Sequence, residues 1–365
     1  MKKVLVAPDS FKGSLSASDF CDVFTSALKE VQPETDVSSL PIADGGEGTL
    51  ECIKNAIDCK ISYCVVQNSL YEEVEVPVAF IDGGRTAIIE SALSNGLPLI
   101  KGRENPLITS TYGVGQMIGY AVDMGAKKII LTLGGSSTND CGMGLLAALG
   151  ACFYDKDGVA FVPTGGTLSN IKDFDLSMMY PRLIGASFEA MCDVKNPLCG
   201  EQGCSKIFAP QKGADEKMVQ VLEEGCMHVA QMFKGMRDQD FSLCEGAGAA
   251  GGLGFAVLAG LMGKLKSGID SVLEICKFSE RAEDSDIIVT GEGSLDAQSL
   301  MGKAIGGIIK KSMGKPVYIF AGRVKENISL PSNVKVFEIS KGQELEYALS
   351  HAKENLKEAV KKAFK

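Results

Sequence analysis

The sequence predicts an α/β protein with two α/β domains. One is Rossmann/flavodoxin-like, with a parallel sheet formed by both chain ends. The other is a mixed-sheet α/β domain inserted into it. Three observations predict this. Strand, helix and strand patterns succeed one another at both ends of the chain. Closely spaced β-rich stretches crowd the region after residue 60. Several predicted strands run into loops of glycine, serine and carboxylates, where parallel α/β sheets bind ligands.

The elements follow in order. Residues 4–7 read as a short buried strand. Ser16 can cap a helix, with Asp19 three residues on and Phe20, Val23, Phe24, Ala27 and Leu28 at helical spacing. Residues 37–42 form a second strand. Residues 61–67, 74–81 and 86–90 are β-rich, and Asp82-Gly83-Gly84 is a turn signal, so an antiparallel meander is expected. A helix is expected after the 109–115 stretch, and strands at 128–133 and 188–194. Residues 246–263 carry no charge over 18 positions, but seven of these are Gly, so they read as a glycine-rich loop and a short buried helix. Strands at 286–290, 317–321 and 334–339 close the chain, with a helix bearing Ala304, Ile305, Ile308 and Ile309 on one face and a charged helix at the end. The expected domains are 1–60 plus 286–365, and 61–285.

Composition removes several function classes. At 365 residues, 45% hydrophobic and 23% charged, the chain has enough apolar material for a core. The net charge of −9 without a basic block argues against nucleic-acid or membrane partners. Twelve cysteines are too sparse for a secreted disulfide scaffold, so reduced thiols and a cytoplasmic location are expected. The two histidines, His228 and His351, stand away from the glycine loops. That disfavours a Ser-His-Asp hydrolase or a His-rich zinc site. No G-x-x-x-x-G-K-[ST] occurs, and Gly246-x-Gly248-x-x-Gly251 is only a weak dinucleotide pattern.

Four loops carry the chemistry: residues 9–14, 44–49, 134–140 and 291–296. Glycine lets backbone N–H groups approach an anion, and a following helix start adds partial positive charge. Together they read as a site for phosphates and a small acid. Asp9, Asp44, Glu47, Asp140, Asp193, Glu292 and Asp296 stand at expected strand ends, where carboxylates hold Mg²⁺ or accept a hydroxyl proton. Lys12 and Lys303, each beside Gly, and Arg323 are the candidate cations.

These loops, in this order, resemble the class I glycerate kinases. The resemblance spans essentially the whole chain and rests on residues 8–16, 41–49, 109–113, 133–144, 192–198, 246–254 and 291–303. Cys141 stands where that family is expected to have Gly, and Ser294 where Arg is common. The resemblance implies ATP-dependent, Mg²⁺-assisted phosphorylation of D-glycerate to 2-phosphoglycerate, at an active site between two α/β domains. Phosphoryl transfer rests on positioning and charge neutralisation, which suits glycine loops and lysines and needs no histidine. The expected phosphate and substrate contacts are Ser10, Lys12, Asp44, Ser136, Ser137, Asn139, Asp140, Asn196, Glu292, Lys303 and Arg323. Arg85 or Arg323 would bind the glycerate carboxylate. Asp193 and Asp296 are the expected base and metal-linked carboxylate, in either order, with Asp44 and Glu47 next. A 3-phosphoglycerate product, an NAD(P)-dependent hydroxy-acid oxidoreductase using the Gly246 loop and a glycerate-binding sensor stand as alternatives. Monomer and homodimer are both open.

Overall fold

Val4, Leu5 and Val6 are all buried, so the first strand, β1 (Lys3–Val6), belongs inside a sheet covered on both faces. The structure, a computed structural model, describes every residue except Met1, Lys12, Asp44, Glu47, Asp238, Met301, Gly302, Glu326 and Asn327, and the side chains of Tyr180 and Gln298. Helix α1 (Ala17–Val31) starts where the sequence signals it: the Ser16 hydroxyl oxygen accepts the Asp19 N–H at 3.0 Å, and the hydroxyl donates to Asp19 Oδ2 at 2.6 Å. Its buried stripe is Phe20, Phe24, Ala27 and Leu28. Strand β2 (Asp36–Ser39) follows.

The meander then appears as expected. Strands β3 (Lys60–Gln67), β4 (Glu73–Ile81) and β5 (Thr86–Glu90) pair antiparallel, with the turn at Asp82–Gly84. Helix α2 (Tyr112–Asp123) carries the chain to β6 (Lys128–Thr132), which lies parallel to β5. Three strands absent from the sequence reading come next: β7 (Cys152–Tyr154), β8 (Ala160–Phe161) and β9 (Asp173–Asp175), a small antiparallel sheet. At two or three residues each they are too short to show periodicity. Strand β10 (Ser187–Met191) stops before Asp193, which therefore lies just past its carboxyl end. The long helix α3 (Glu216–Arg237) and the short β11 (Lys264–Lys266) complete this region. The six-stranded sheet has the order β11-β10-β6-β5-β4-β3. No helix among the described residues is long and apolar enough to cross a membrane. The uncharged run instead forms a tight helical turn at Leu253–Phe255 and a π-helical turn at Ala256–Gly260.

The chain returns to the first sheet through β12 (Ile287–Leu295), helix α4 (Ala304–Lys311), β13 (Val317–Val324), β14 (Val334–Glu338) and the terminal helix α5 (Ala352–Ala363). All five strands are parallel, in the order β14-β13-β12-β1-β2. The strand order changes direction between β1 and β12, and that switch point opens a crevice at the carboxyl ends. Residues 291–295 are strand and not loop, because Gly291, Glu292, Ser294 and Leu295 stay in register with Phe320, Ala321, Arg323 and Val324. Gly291 makes this passage possible: a Cβ there would lie 2.6 Å from the Phe320 carbonyl and 2.7 Å from the Phe20 ring.

The chain divides into two compact units. Unit 1 is Met1–Asp44, Glu51–Asp58 and Ile269–Lys365; unit 2 is Gly45–Leu50 and Cys59–Gly268. Unit 1 has an aromatic heart. The Phe24 ring lies 5.6 Å from Phe320 and 5.7 Å from Phe364, both edge-on, and 6.2 Å from Phe20. Phe24→Ala should therefore cost roughly 3–5 kcal/mol, the range for a fully buried phenylalanine. Chemical denaturation followed by circular dichroism would measure it, and an unchanged midpoint would show that the cluster repacks.

Candidate active site

In unit 1 the switch point holds a cleft of about 420 Å³. It is lined by Asp9 and Ser10 beyond β1, by Glu292 and Ser294 of β12, by Lys303 before α4, and by Arg323 of β13. Ile339, Leu345, Ala348, Leu349 and Ala352 add apolar side chains to the lining. Five residues expected at the site from sequence, Ser10, Glu292, Lys303, Arg323 and Asp9, are thus brought to one place by the sheet.

The carboxylates here differ in their surroundings. Asp9 Oδ1 accepts the Ser10 N–H at 2.6 Å. Asp296 Oδ1 accepts the Ser299 N–H at 3.1 Å and its Oδ2 takes the Lys325 ammonium at 2.9 Å, so this carboxylate folds the 294–300 segment. Glu292 is half-buried, and its Oε1 has no hydrogen-bond partner among the described residues. Burial raises its pKa to about 7. The negative charges of Asp9 and Asp296 push the same way, while a hydrogen bond from Ser299 and the Lys303 charge oppose the rise. Arg323 is exposed and donates to the Gln343 carbonyl at 3.3 Å.

Unit 2 holds the other expected residues in the loops after β6 and β10. Ser136, Ser137, Thr138, Asn139 and Asp140 are all buried. Asp140 is a hub: its carboxylate accepts the Thr111 N–H at 2.7 Å, the Thr111 hydroxyl at 2.8 Å, the Gly142 N–H at 3.0 Å and the Gly144 N–H at 3.3 Å. Burial raises its pKa against the pull of these donors. Ser137 Oγ donates to the Asn95 carbonyl at 2.8 Å, and Asn139 Nδ2 to Ser205 Oγ at 3.3 Å. Beyond β10, Asp193 is exposed and its Oδ1 accepts the Gly268 N–H at 2.9 Å. Asn196 Nδ2 donates to the Gln202 carbonyl at 2.8 Å. Lys12, Asp44 and Glu47 lie outside the described residues.

The glycine-rich run has a packing reason. A Cβ at Gly251 would lie 1.9 Å from the Thr138 carbonyl, and one at Gly248 would lie 2.3 Å from the Pro197 carbonyl. The run therefore locks the loop after β6 to the loop after β10, and the Cys141 N–H to Gly251 carbonyl bond of 3.0 Å joins them. A turn at Phe241–Leu243, not a strand, precedes it, so the dinucleotide pattern lacks its structural context. Cys141 itself has φ +54°, the left-handed region that favours glycine.

Two residues escaped the sequence reading. Glu90, buried at the end of β5, accepts the Gly48 N–H at 2.8 Å and the Leu50 N–H at 3.0 Å, and so fixes the end of the 44–49 loop. Lys212 is 2% exposed and donates to Ser136 Oγ at 3.0 Å and to the Thr138 carbonyl at 2.6 Å. In sequence it sits between Pro210 and Gly213, which reads as a surface turn, and lysines are almost never buried.

Comparison with known proteins adds the family. Residues 4–365 match the model of the glycerate kinase family. The chain is 42% identical to a glycerate kinase of Bacillus subtilis (strain 168) over 328 residues, covering 89% of this chain and 86% of that one. It is 39% identical to a glycerate 2-kinase of Escherichia coli (strain K12), over 90% of this chain and 87% of that one. A crystal structure described as glycerate kinase 2 from Salmonella typhimurium LT2 superposes with a TM-score of 0.85 at 33% identity, covering 100% of this chain and 97% of the other.

The Asp140 hub yields a stability prediction. Asp140→Ala should destabilise unit 2 by roughly 3 kcal/mol, because it strands several buried donors at once. Thermal unfolding would show this as a lowered melting temperature; an unchanged one would mean that the donors find other partners.

Proposed function

The chain belongs to the glycerate kinase family, and on that premise we propose that it transfers the γ-phosphoryl group of ATP to the 2-hydroxyl of D-glycerate, with Mg²⁺. Enzymes of this family phosphorylate an alcohol group. The 2-position follows the name of the Escherichia coli relative. The observation that carries the nucleotide reading is the unit 1 cleft, whose lining combines cations and carboxylates with apolar side chains. Its size falls in the usual range for a ligand far larger than a three-carbon acid. In this reading the adenine lies against Leu345, Ala348 and Leu349, and the phosphates lie toward Ser10, Lys303 and Arg323.

Each group then has a task. Lys303 and Arg323 neutralise phosphate charge. Among the described residues no group of three or more His, Cys, Asp or Glu side chains forms a ready cation cage. Mg²⁺ needs only one or two protein carboxylates, because phosphate oxygens and water complete its shell. Asp9, just beyond β1 in the cleft lining, would hold it, and the ion would supply charge neutralisation on the transferred group. Glu292 accepts the hydroxyl proton: a carboxylate with an unpartnered oxygen and a pKa near the working pH is suited to that role. Asp193 is the second candidate for the proton, and Asp296 orients the 294–300 segment. In unit 2, the Ser136–Asp140 loop offers hydroxyl and amide groups to a small-acid substrate.

Incubating the protein with ATP, Mg²⁺ and D-glycerate and following the product by ³¹P NMR tests the activity. The expected resonance is 2-phosphoglycerate; 3-phosphoglycerate would correct the position, and no phosphoglycerate from folded protein would remove the reading. Glu292→Gln should lower kcat by about 100-fold, within the range for general acid–base groups, while Asp193→Asn stays within several-fold; the reverse pattern would move the proton to Asp193. Glu292 works as the carboxylate, so activity should rise with pH through about 7. The Glu292→Gln variant should lack that acid limb, and retention of the limb would assign it to another group.

A further inference from the structure

Lys212 has no role in the reading above, yet it is the least expected side chain in unit 2. It is fully enclosed, and no carboxylate lies within ion-pair distance among the described residues. Burying an ammonium without a counter-ion is costly, and an apolar side chain of similar volume would serve packing at least as well. Stability therefore does not explain the charge. Its hydrogen bonds do point somewhere: both go to the loop after β6, to Ser136 Oγ and to the Thr138 carbonyl.

An ammonium can only donate. Ser136 Oγ must therefore accept, and its own hydrogen is left to donate elsewhere. That hydrogen finds no acceptor among the described residues, and neither does the third N–H of Lys212. Two donors are thus held in readiness next to the exposed Gly135.

We propose that Lys212 is a positioning residue for phosphoryl transfer, holding the Ser136 hydroxyl as a hydrogen-bond donor for the bound substrate. This rests on the reading that the Ser136–Asp140 loop faces substrate. A neutral amine at Lys212 can accept a hydrogen bond as well as donate one, so its deprotonation releases Ser136 from the donor role. Burial brings the Lys212 pKa down to about 8, against the opposing influence of the groups that face it, Cys204, Asp140 and Cys226. The enzyme should therefore carry an alkaline limit of its own, separate from the acid limb of Glu292.

The test compares wild type, Lys212→Met, Lys212→Arg and Ser136→Ala, each checked by melting temperature, in steady-state assays with ATP, Mg²⁺ and D-glycerate across neutral and alkaline pH. Wild-type kcat should fall with a midpoint near 8. Lys212→Met, if folded, should lose about 100-fold in kcat, the scale of a misplaced contact group, and should show no alkaline limb. Lys212→Arg keeps its charge at every accessible pH, so the limb should move upward. Should Lys212→Met not fold, Ser136→Ala decides, since it removes the positioned hydroxyl and should also lose the limb. Near-wild-type kcat in folded Lys212→Met or in Ser136→Ala, or an alkaline limb unmoved in Lys212→Arg, overturns the inference. A wild type that makes no phosphoglycerate fails the kinase reading itself, so the two failures are distinguishable.

Discussion

The pairing of β1 with β12 is the constraint on which the rest of this molecule depends. Val4, Leu5 and Val6 lie in register with Ile287, Ile288 and Val289, and the Lys3 N–H reaches Asp286 Oδ2 at 2.8 Å across a separation of 283 residues. That contact makes one sheet from two chain ends, and most of the chain between them, Cys59–Gly268, belongs to the second unit. It also creates the reversal of strand order at which Asp9 and Glu292 become neighbours. Closing so long a loop is less costly than it looks, since each doubling of length adds only about 0.6 kcal/mol. The larger consequence is kinetic, because pairings this remote in sequence form slowly.

Unit 2 solves a different problem. Its loops carry many polar groups into a buried region, where an unpaired one is expensive. The solution is dense mutual satisfaction. Asp140 takes four donors, Glu90 takes two backbone N–H groups, and Ser137 and Asn139 are tied to neighbouring loops. Glycines let the backbones come close enough for this, as at Gly248 and Gly251. Such a network holds a rigid arrangement of hydroxyl and amide groups.

The candidate residues of the two units were unequally visible. The unit 1 group was legible because its members end strands that the sequence announces: Asp9 after a buried run, Glu292 after another, and Lys303 before an amphipathic helix. The work of Asp140 was hidden, because a carboxylate in a Gly-Ser loop looks the same whether it faces a ligand or gathers backbone donors. Lys212 was hidden more deeply. Nothing local distinguishes a lysine in a Pro-Gly turn that is solvated from one that is enclosed by segments far away in sequence.

The sequence by itself determined the α/β class, the capped first helix, the meander, the five parallel strands shared by the chain ends and, through the order of its loops, the family. Those are properties of periodicity, turn chemistry and motif, which are carried by near neighbours along the chain. Tertiary structure alone decided that β12 and β13 run on through Leu295 and Val324, that the small sheet of β7, β8 and β9 exists, and which polar side chains are buried. It also decided the pKa of Glu292, because desolvation and the charges of Asp9, Asp296 and Lys303 act through space and depend on which strands lie side by side.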